Sequence, residues 1–228
     1  MDKNIIVKQE PQYYIQISTN LNALKGYLIS SVYSTLFDLI SCTTFKDSNG
    51  VPYIQTPYSS DDDKNIGIAQ RLRISKSSVV RAMNELENMG LVLRNRRGQG
   101  KCNNIYVFPL ESVGIDSKPF IKVKKDLLQF SSLPLGAKIL FSISENISKD
   151  FLKVDYAASL LNVCSATITA WFALLKASGM VQKIRRGQGL CDKLIVKPFK
   201  LAVSRTMARI KMSAMDAGVN VLSSVQLC

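Results

Sequence analysis

The sequence predicts an α+β chain built from two tandem copies of one unit, the product of an internal duplication. Three observations point there. Residues 66–109 align with residues 155–198 without a gap, at a constant offset of 89 and with 13 of 44 positions identical. One block is nearly word for word: Arg96-Arg97-Gly98-Gln99-Gly100-Lys101-Cys102 against Arg185-Arg186-Gly187-Gln188-Gly189-Leu190-Cys191. Each copy also runs through the same order of hydrophobic periods, first alternating, then helical, then two short β-prone stretches. With 228 residues, 46% of them hydrophobic, there is material for one large core or two small ones.

Each copy opens on an alternating segment, YYIQIS at 13–18 and FIKVK at 120–124, which reads as a strand. Tyr14 matches Phe120 at an offset of 106, so the first copy carries 17 extra residues (106 − 89), placed between Ser41 and Lys64. Ser48-Asn49-Gly50 and Val51-Pro52 mark a turn between short β-prone segments there. A helix is expected over 24–41 and over 134–148. A short helix follows, over 62–72 and 155–162, with the Asp61-Asp62-Asp63 run suited to the positive end of the first. A metal site is the less favoured reading of that run. After a tight turn comes a second helix, over 76–89 and 165–178. Ser75 is a good N-cap, and Gly90 and Gly179 are good left-handed stops. Two strands close each copy, 91–96 with 102–108 and 180–185 with 191–197. The chain thus divides into an arm (1–13), a first domain (14–112), a linker (113–118), a second domain (119–199) and a tail (200–228). The start of the tail, KLAVSRTMARIKMSAM, suits a helix that would serve dimerisation or fray.

Composition narrows the function. Thirty Lys and Arg against 17 Asp and Glu give a net charge of +13, which favours a polyanionic partner, nucleic acid first and an anionic membrane surface second. The charge is uneven. Residues 1–114 hold 13 basic and 10 acidic residues, and residues 115–228 hold 17 and 7. With no histidine, Ser-His-Asp and Cys-His nucleophiles and His-ligated zinc are excluded. Five cysteines, an odd number with no C-x-x-C pair, argue against a metal site or a disulfide framework. No G-x-x-x-x-G-K-[ST] run offers a phosphate loop. No enzyme activity, cofactor or metal is therefore expected. No stretch reaches the ~18 apolar residues of a membrane span, and MDKNIIVKQEPQYY lacks the apolar core of a signal peptide. The expected location is the cytoplasm, on the nucleoid.

The stretch IAQRLRISKSSVVRAMNELENMGLV followed by RNRRGQGKCNNIYVF resembles the winged helix-turn-helix (wHTH) family, and its glycine-tipped basic hairpin is similar to those of plasmid and phage replication proteins and of many bacterial regulators. The resemblance implies two tandem winged-helix domains with double-stranded DNA as partner.

The residues themselves point the same way. At 100° per residue, Val79, Ala82, Met83 and Leu86 form a buried stripe, with Ser77, Arg81, Asn84 and Asn88 opposite. Arg suits guanine and Asn suits adenine, and a helix fits the major groove with its N-terminal half deepest. Ser77 and Arg81 are the expected base readers. Lys76 and Ser78 would reach phosphate or base edges, and Asn84 is a further candidate. In the wing, Gly98 and Gly100 permit a slim tip flanked by Arg96, Arg97 and Lys101, with Gln99 the only side chain at the tip. Such a tip suits phosphates or a narrow minor groove. The second copy differs. Ile168, Phe172 and Leu175, with Trp171 beside them, form its stripe, but Ala166, Ala170, Ala173 and Ala177 stand opposite. Ser165, Thr167 and Thr169 flank that alanine face and would bond phosphate. The second wing keeps Lys183, Arg185, Arg186 and Gln188. Lys118, Lys122, Lys124 and Lys125 form a further basic cluster.

These features fit a division of labour, with the first copy reading sequence and the second gripping the backbone. They suit a sequence-specific transcriptional regulator, or alternatively a replication initiator or replication control protein. A third reading is a protein-interaction module, with a homodimer formed through the second domain or the tail.

Overall fold

In a computed structural model, residues 13–20, 23–60, 62, 65–146, 152–184 and 193–197 are described. The expected arm and tail therefore lie outside the described residues, apart from Tyr13. The first copy comprises Tyr14–Ser18 (β1), Tyr27–Ser41 (α1), Ile68–Leu72 (α2), Lys76–Asn88 (α3), Val92–Asn95 (β2) and Asn104–Val107 (β3). A 3-10 turn, Leu110–Val113, leads on to the second copy. That comprises Phe120–Lys124 (β4), Lys125–Gln129 (α4), Leu135–Asn146 (α5), Val154–Leu161 (α6), Ser165–Ala177 (α7), Val181–Ile184 (β5) and Lys193–Val196 (β6). The architecture is α+β, with three two-stranded antiparallel sheets: β1–β4, β2–β3 and β5–β6.

The opening strands of the two copies pair with each other. Tyr14 faces Lys124, Gln16 faces Lys122 and Ser18 faces Phe120. Under the 106-residue offset Gln16 and Lys122 are equivalent, so a local two-fold axis passes through that pair. Alternation decides which face is buried. Ile15, Ile17, Ile121 and Val123 are 0–3% exposed, while on the other face the Lys122 ammonium sits 4.8 Å from the centre of the Tyr14 ring. Burying four such side chains contributes roughly 1.5–3 kcal/mol each as an upper bound.

One continuous core runs through both copies, including Val32 and Leu36 of α1 and Ile139, Leu140 and Ile143 of α5. Tyr27 meets Trp171 edge to face, with ring centres 5.5 Å apart. The Trp171 ring lies so close to α5 that a Cβ added at Gly136 would sit 2.1 Å from it. Polar ties cross the same boundary. Asp38 pairs with Lys125 at 2.8 Å, Arg73 Nε donates to Gln129 Oε1 at 3.2 Å, and Gln129 Nε2 donates to the Arg71 carbonyl at 3.0 Å. The segment expected as a linker is laced to β1: the Asp116 carbonyl accepts from Ser18 Oγ and Asn20 Nδ2.

The turns after α2 and α6 share one geometry, with Arg73 (φ 53°) and Asn162 (φ 54°) left-handed at positions 89 residues apart. The helix expected over 62–72 begins only at Ile68. Its first amides are taken by the inserted segment: Ile68 N donates to the Pro57 carbonyl and Ala69 N to that of Tyr58. Gly67 allows this close approach, since a Cβ there would come within 2.8 Å of Ser59 Cα. The acidic run thus does not stand in the first turn of α2; Asp61 and Asp63 lie outside the described residues. The rest of the insertion forms the expected turn. Asp47 Oδ1 accepts from the amides of Asn49 and Val51, Gly50 is left-handed, and Ile54 then exchanges two 2.9 Å hydrogen bonds with Ile105 beside β3. The helix α4, at five residues, is too short to show a period in the sequence, and it buries Leu127 and Leu128.

Lys138 of α5 is fully buried. Its Nζ donates to the Leu128 carbonyl at 2.6 Å, and no carboxylate pairs with it among the described residues. Burial, with a smaller contribution from the charge of Arg73, lowers its pKa to about 8.

Two outcomes follow from this packing. Gly136→Ala should lower the unfolding free energy by about 3 kcal/mol in urea melts, because the new methyl overlaps an indole fixed on its other side; a loss under about 1 kcal/mol would contradict the seating of Trp171. The folded pKa of Lys138 lies below the ordinary lysine value, so between about pH 8 and pH 10 the unfolded chain binds more protons. Stability should then rise with pH, by roughly 1–2 kcal/mol at pH 9.5 relative to pH 7. Lys138→Met, melted in parallel, should lack that rise.

Candidate nucleic-acid interface

The helix α3 is fixed from its first residue. Ser75 Oγ accepts from Ser78 N at 3.1 Å, and the Ser77 and Ser78 hydroxyls each lie 2.9 Å from Ser75 Oγ. The core face is the one expected: Val79, Ala82, Met83 and Leu86 are all fully buried. Lys76, Ser77, Arg81, Asn84 and Asn88 are exposed, and Ser78 is half-buried. Lys76 and Arg81 form no ion pair among the described residues, so their charges are available at the surface. Glu85, at the edge of this face, is paired to Lys25 at 2.5 Å. Arg81 lies near enough to Tyr27 for its charge to oppose the upward pKa shift that burial gives that phenol.

The hairpin beside α3 narrows to a turn in which Lys101 N donates to the Gly98 carbonyl at 3.4 Å. Gly98 (φ 104°) and Gly100 (φ 75°) both take left-handed backbone that side chains rarely adopt. Arg96, Arg97, Gln99 and Lys101 are exposed around this tip. The charges of Arg96, Arg97 and Lys101 form no ion pair among the described residues.

One residue behaves differently from its neighbours in the wing. Arg94, half-buried on β2, has its guanidinium taken up by internal partners. Nε donates to Glu87 Oε2 at 3.0 Å, NH1 to the Tyr58 hydroxyl at 3.1 Å and NH2 to Asn84 Oδ1 at 3.0 Å, with a second bond from NH2 to Glu87. The Arg94 hydrogen bonds hold the Glu87 carboxyl below its usual range and raise the guanidinium's own pKa. Asn84, expected as a base reader, therefore has its carbonyl engaged.

The second copy presents the expected alanine face: Ala166, Ala170, Ala173 and Ala177 are exposed. Its core stripe is rebalanced, with Trp171 buried and Phe172 only half-buried, because Gly136 leaves room for the larger ring. The three hydroxyls expected to reach phosphate have internal partners. Ser165 Oγ donates to Asp155 Oδ1 at 2.9 Å, Thr169 Oγ1 donates to the Ser165 carbonyl at 3.0 Å, and Thr167 Oγ1 lies 3.1 Å from Cys164 Sγ. Lys183 is exposed on β5. Arg185, Arg186 and Gln188 lie outside the described residues. Two of the four lysines in the basic cluster at the start of this copy are paired, Lys124 with Glu145 at 2.9 Å and Lys125 with Asp38. No group of carboxylates and thiols suited to a metal occurs among the described residues, and no single helix there is long and apolar enough to cross a membrane.

No protein-family model and no curated protein matches the chain. A solved structure described as the N-terminal domain of a DNA binding protein is similar over 48% of this chain and 85% of its own, with 18% identity and a TM-score of 0.32. At that level the likeness leaves fold and function to be argued from the residues.

The two helix starts differ in one testable way. Ser75 caps α3 through its side chain, whereas Cys164, at the same position before α7, makes no such bond. Ser75→Ala should cost about 1 kcal/mol, and Cys164→Ser should gain roughly 0.5–1 kcal/mol, both read from thermal or urea melts.

Proposed function

We propose that this protein is a tandem winged-helix protein that binds double-stranded DNA sequence-specifically, as a regulator does. One observation carries the reading. An exposed polar helix face (Ser77, Arg81, Asn84, Asn88) stands over a fully apolar core stripe, beside a glycine-tipped hairpin whose three cations form no ion pair among the described residues. A helix of that kind fits the major groove, and the tip fits the adjacent backbone or minor groove. The two-fold relation at the β1–β4 pair supports a further feature. On this reading α3 and α7 would act as the paired recognition helices of one chain, addressing successive turns of duplex.

The halves would not contribute equally. The exposed Arg81 of α3 suits base reading, while α7 offers alanine; the hydroxyls at both helix starts are bonded internally. The second copy would supply charge to the backbone, or its alanine face would pack against a protein.

Selection from a random duplex pool, using the full chain, tests the reading. Wild type should enrich a site with one well-defined half, with affinity that falls steeply as salt rises. Arg81→Ala should relax preference at one or two base pairs and weaken binding by roughly 10- to 100-fold. Ala170→Arg should leave the defined half unchanged. Duplex affinity weaker than micromolar at low salt, with no salt dependence, would overturn the proposal.

A further inference from the structure

The carboxamide of Asn84 is not free to face a base in either sense. Its Oδ1 accepts from Arg94 NH2 at 3.0 Å, so the oxygen points at the guanidinium and the amino group points away from it. An asparagine that recognises adenine uses both ends, accepting from N6 and donating to N7. With the oxygen turned to the guanidinium and one of its two lone pairs taken, Asn84 presents its N–H donors outward. In the major groove, guanine presents O6 and N7 as acceptors and thymine presents O4, whereas cytosine presents only the N4 amino donor. Adenine offers N7 alone, beside an amino group that would find no acceptor.

The restraint on Asn84 is built from three parts of the first copy. Arg94 comes from β2, Glu87 from α3 one turn beyond Asn84, and Tyr58 from the inserted segment. Its charge is neutralised by Glu87, which distinguishes it from Arg96 and Arg97 as a phosphate ligand. At the 89-residue offset the second copy has Ala173, Lys176 and Lys183 in place of Asn84, Glu87 and Arg94. The device therefore belongs to the first copy alone.

We infer that Arg94 is a specificity-determining positioning residue that locks Asn84 as a donor, so that Asn84 selects a keto base, guanine or thymine, over adenine and cytosine. The inference rests on the DNA-binding reading of α3. The test uses the full chain and the site enriched by selection, with all four bases placed in turn at the position whose preference Asn84→Ala erases. Wild type should favour a keto base there by roughly tenfold, and Asn84→Ala should flatten that position and no other. Glu87→Gln combined with Arg94→Met removes the ion pair as a unit and frees the carboxamide, so adenine should gain at that position while salt dependence is kept. Asn84 is exposed, so Asn84→Ala leaves the fold intact and the base found at its position decides the matter even if the double variant unfolds. Adenine or cytosine preferred by wild type, a double variant that keeps the keto preference, or no position altered by Asn84→Ala would each overturn the inference while leaving DNA binding standing. A wild type that enriches no sequence would overturn both.

Discussion

The antiparallel pairing of β1 with β4 is the constraint on which the rest of the molecule depends. Each copy supplies one strand with an apolar face, and a lone strand can neither satisfy its backbone nor bury that face. Pairing solves both problems at once. Its register is set by burial: a slip of one residue would turn Ile15 and Ile17, or Ile121 and Val123, out to solvent. Once the register is fixed, α1 and α5 come to lie against one another beneath the sheet, and Tyr27 reaches Trp171 across the junction.

Much of this was legible along the chain, and the failures share a cause. The stripe of α3, the Ser75 cap and the Asp47–Gly50 turn are local, so spacing and residue type sufficed. Alternation told which side of YIQIS and FIKVK is buried but not which strand pairs with which, since pairing is a non-local choice. The start of α2 depended on carbonyls from the insertion, which outcompeted the acidic run. Arg94 reads like Arg96 two residues on; only the closeness of Glu87, Tyr58 and Asn84 separates a structural guanidinium from a surface one. The partner of Ser165, Asp155, lies across the turn between α6 and α7, whereas Thr167 and Thr169 bond within three or four residues at the start of α7.

A chain with an internal repeat also escapes a restriction that binds a symmetric dimer. In a homodimer every substitution appears twice, so a face cannot be improved on one side and abandoned on the other. Here the central strand pair keeps a two-fold register while the surfaces diverge: Arg81 against Ala170, Asn84 against Ala173, Glu87 against Lys176. The net charge has diverged as well, +3 in the first half and +10 in the second. On the proposed reading, the favoured site on DNA is directional, and a bound molecule has a fixed heading along the duplex.

The strand pair at the centre also orders events during synthesis. The residues that complete β1 are made about a hundred positions after it. At typical ribosomal rates of about 5–20 residues per second, the apolar edge of Ile15 and Ile17 waits roughly 5–20 s for its partner. The first copy is thus committed to a period of incomplete burial on every round of translation, and the nascent chain, more than the finished protein, is the form most exposed to aggregation and to chaperones.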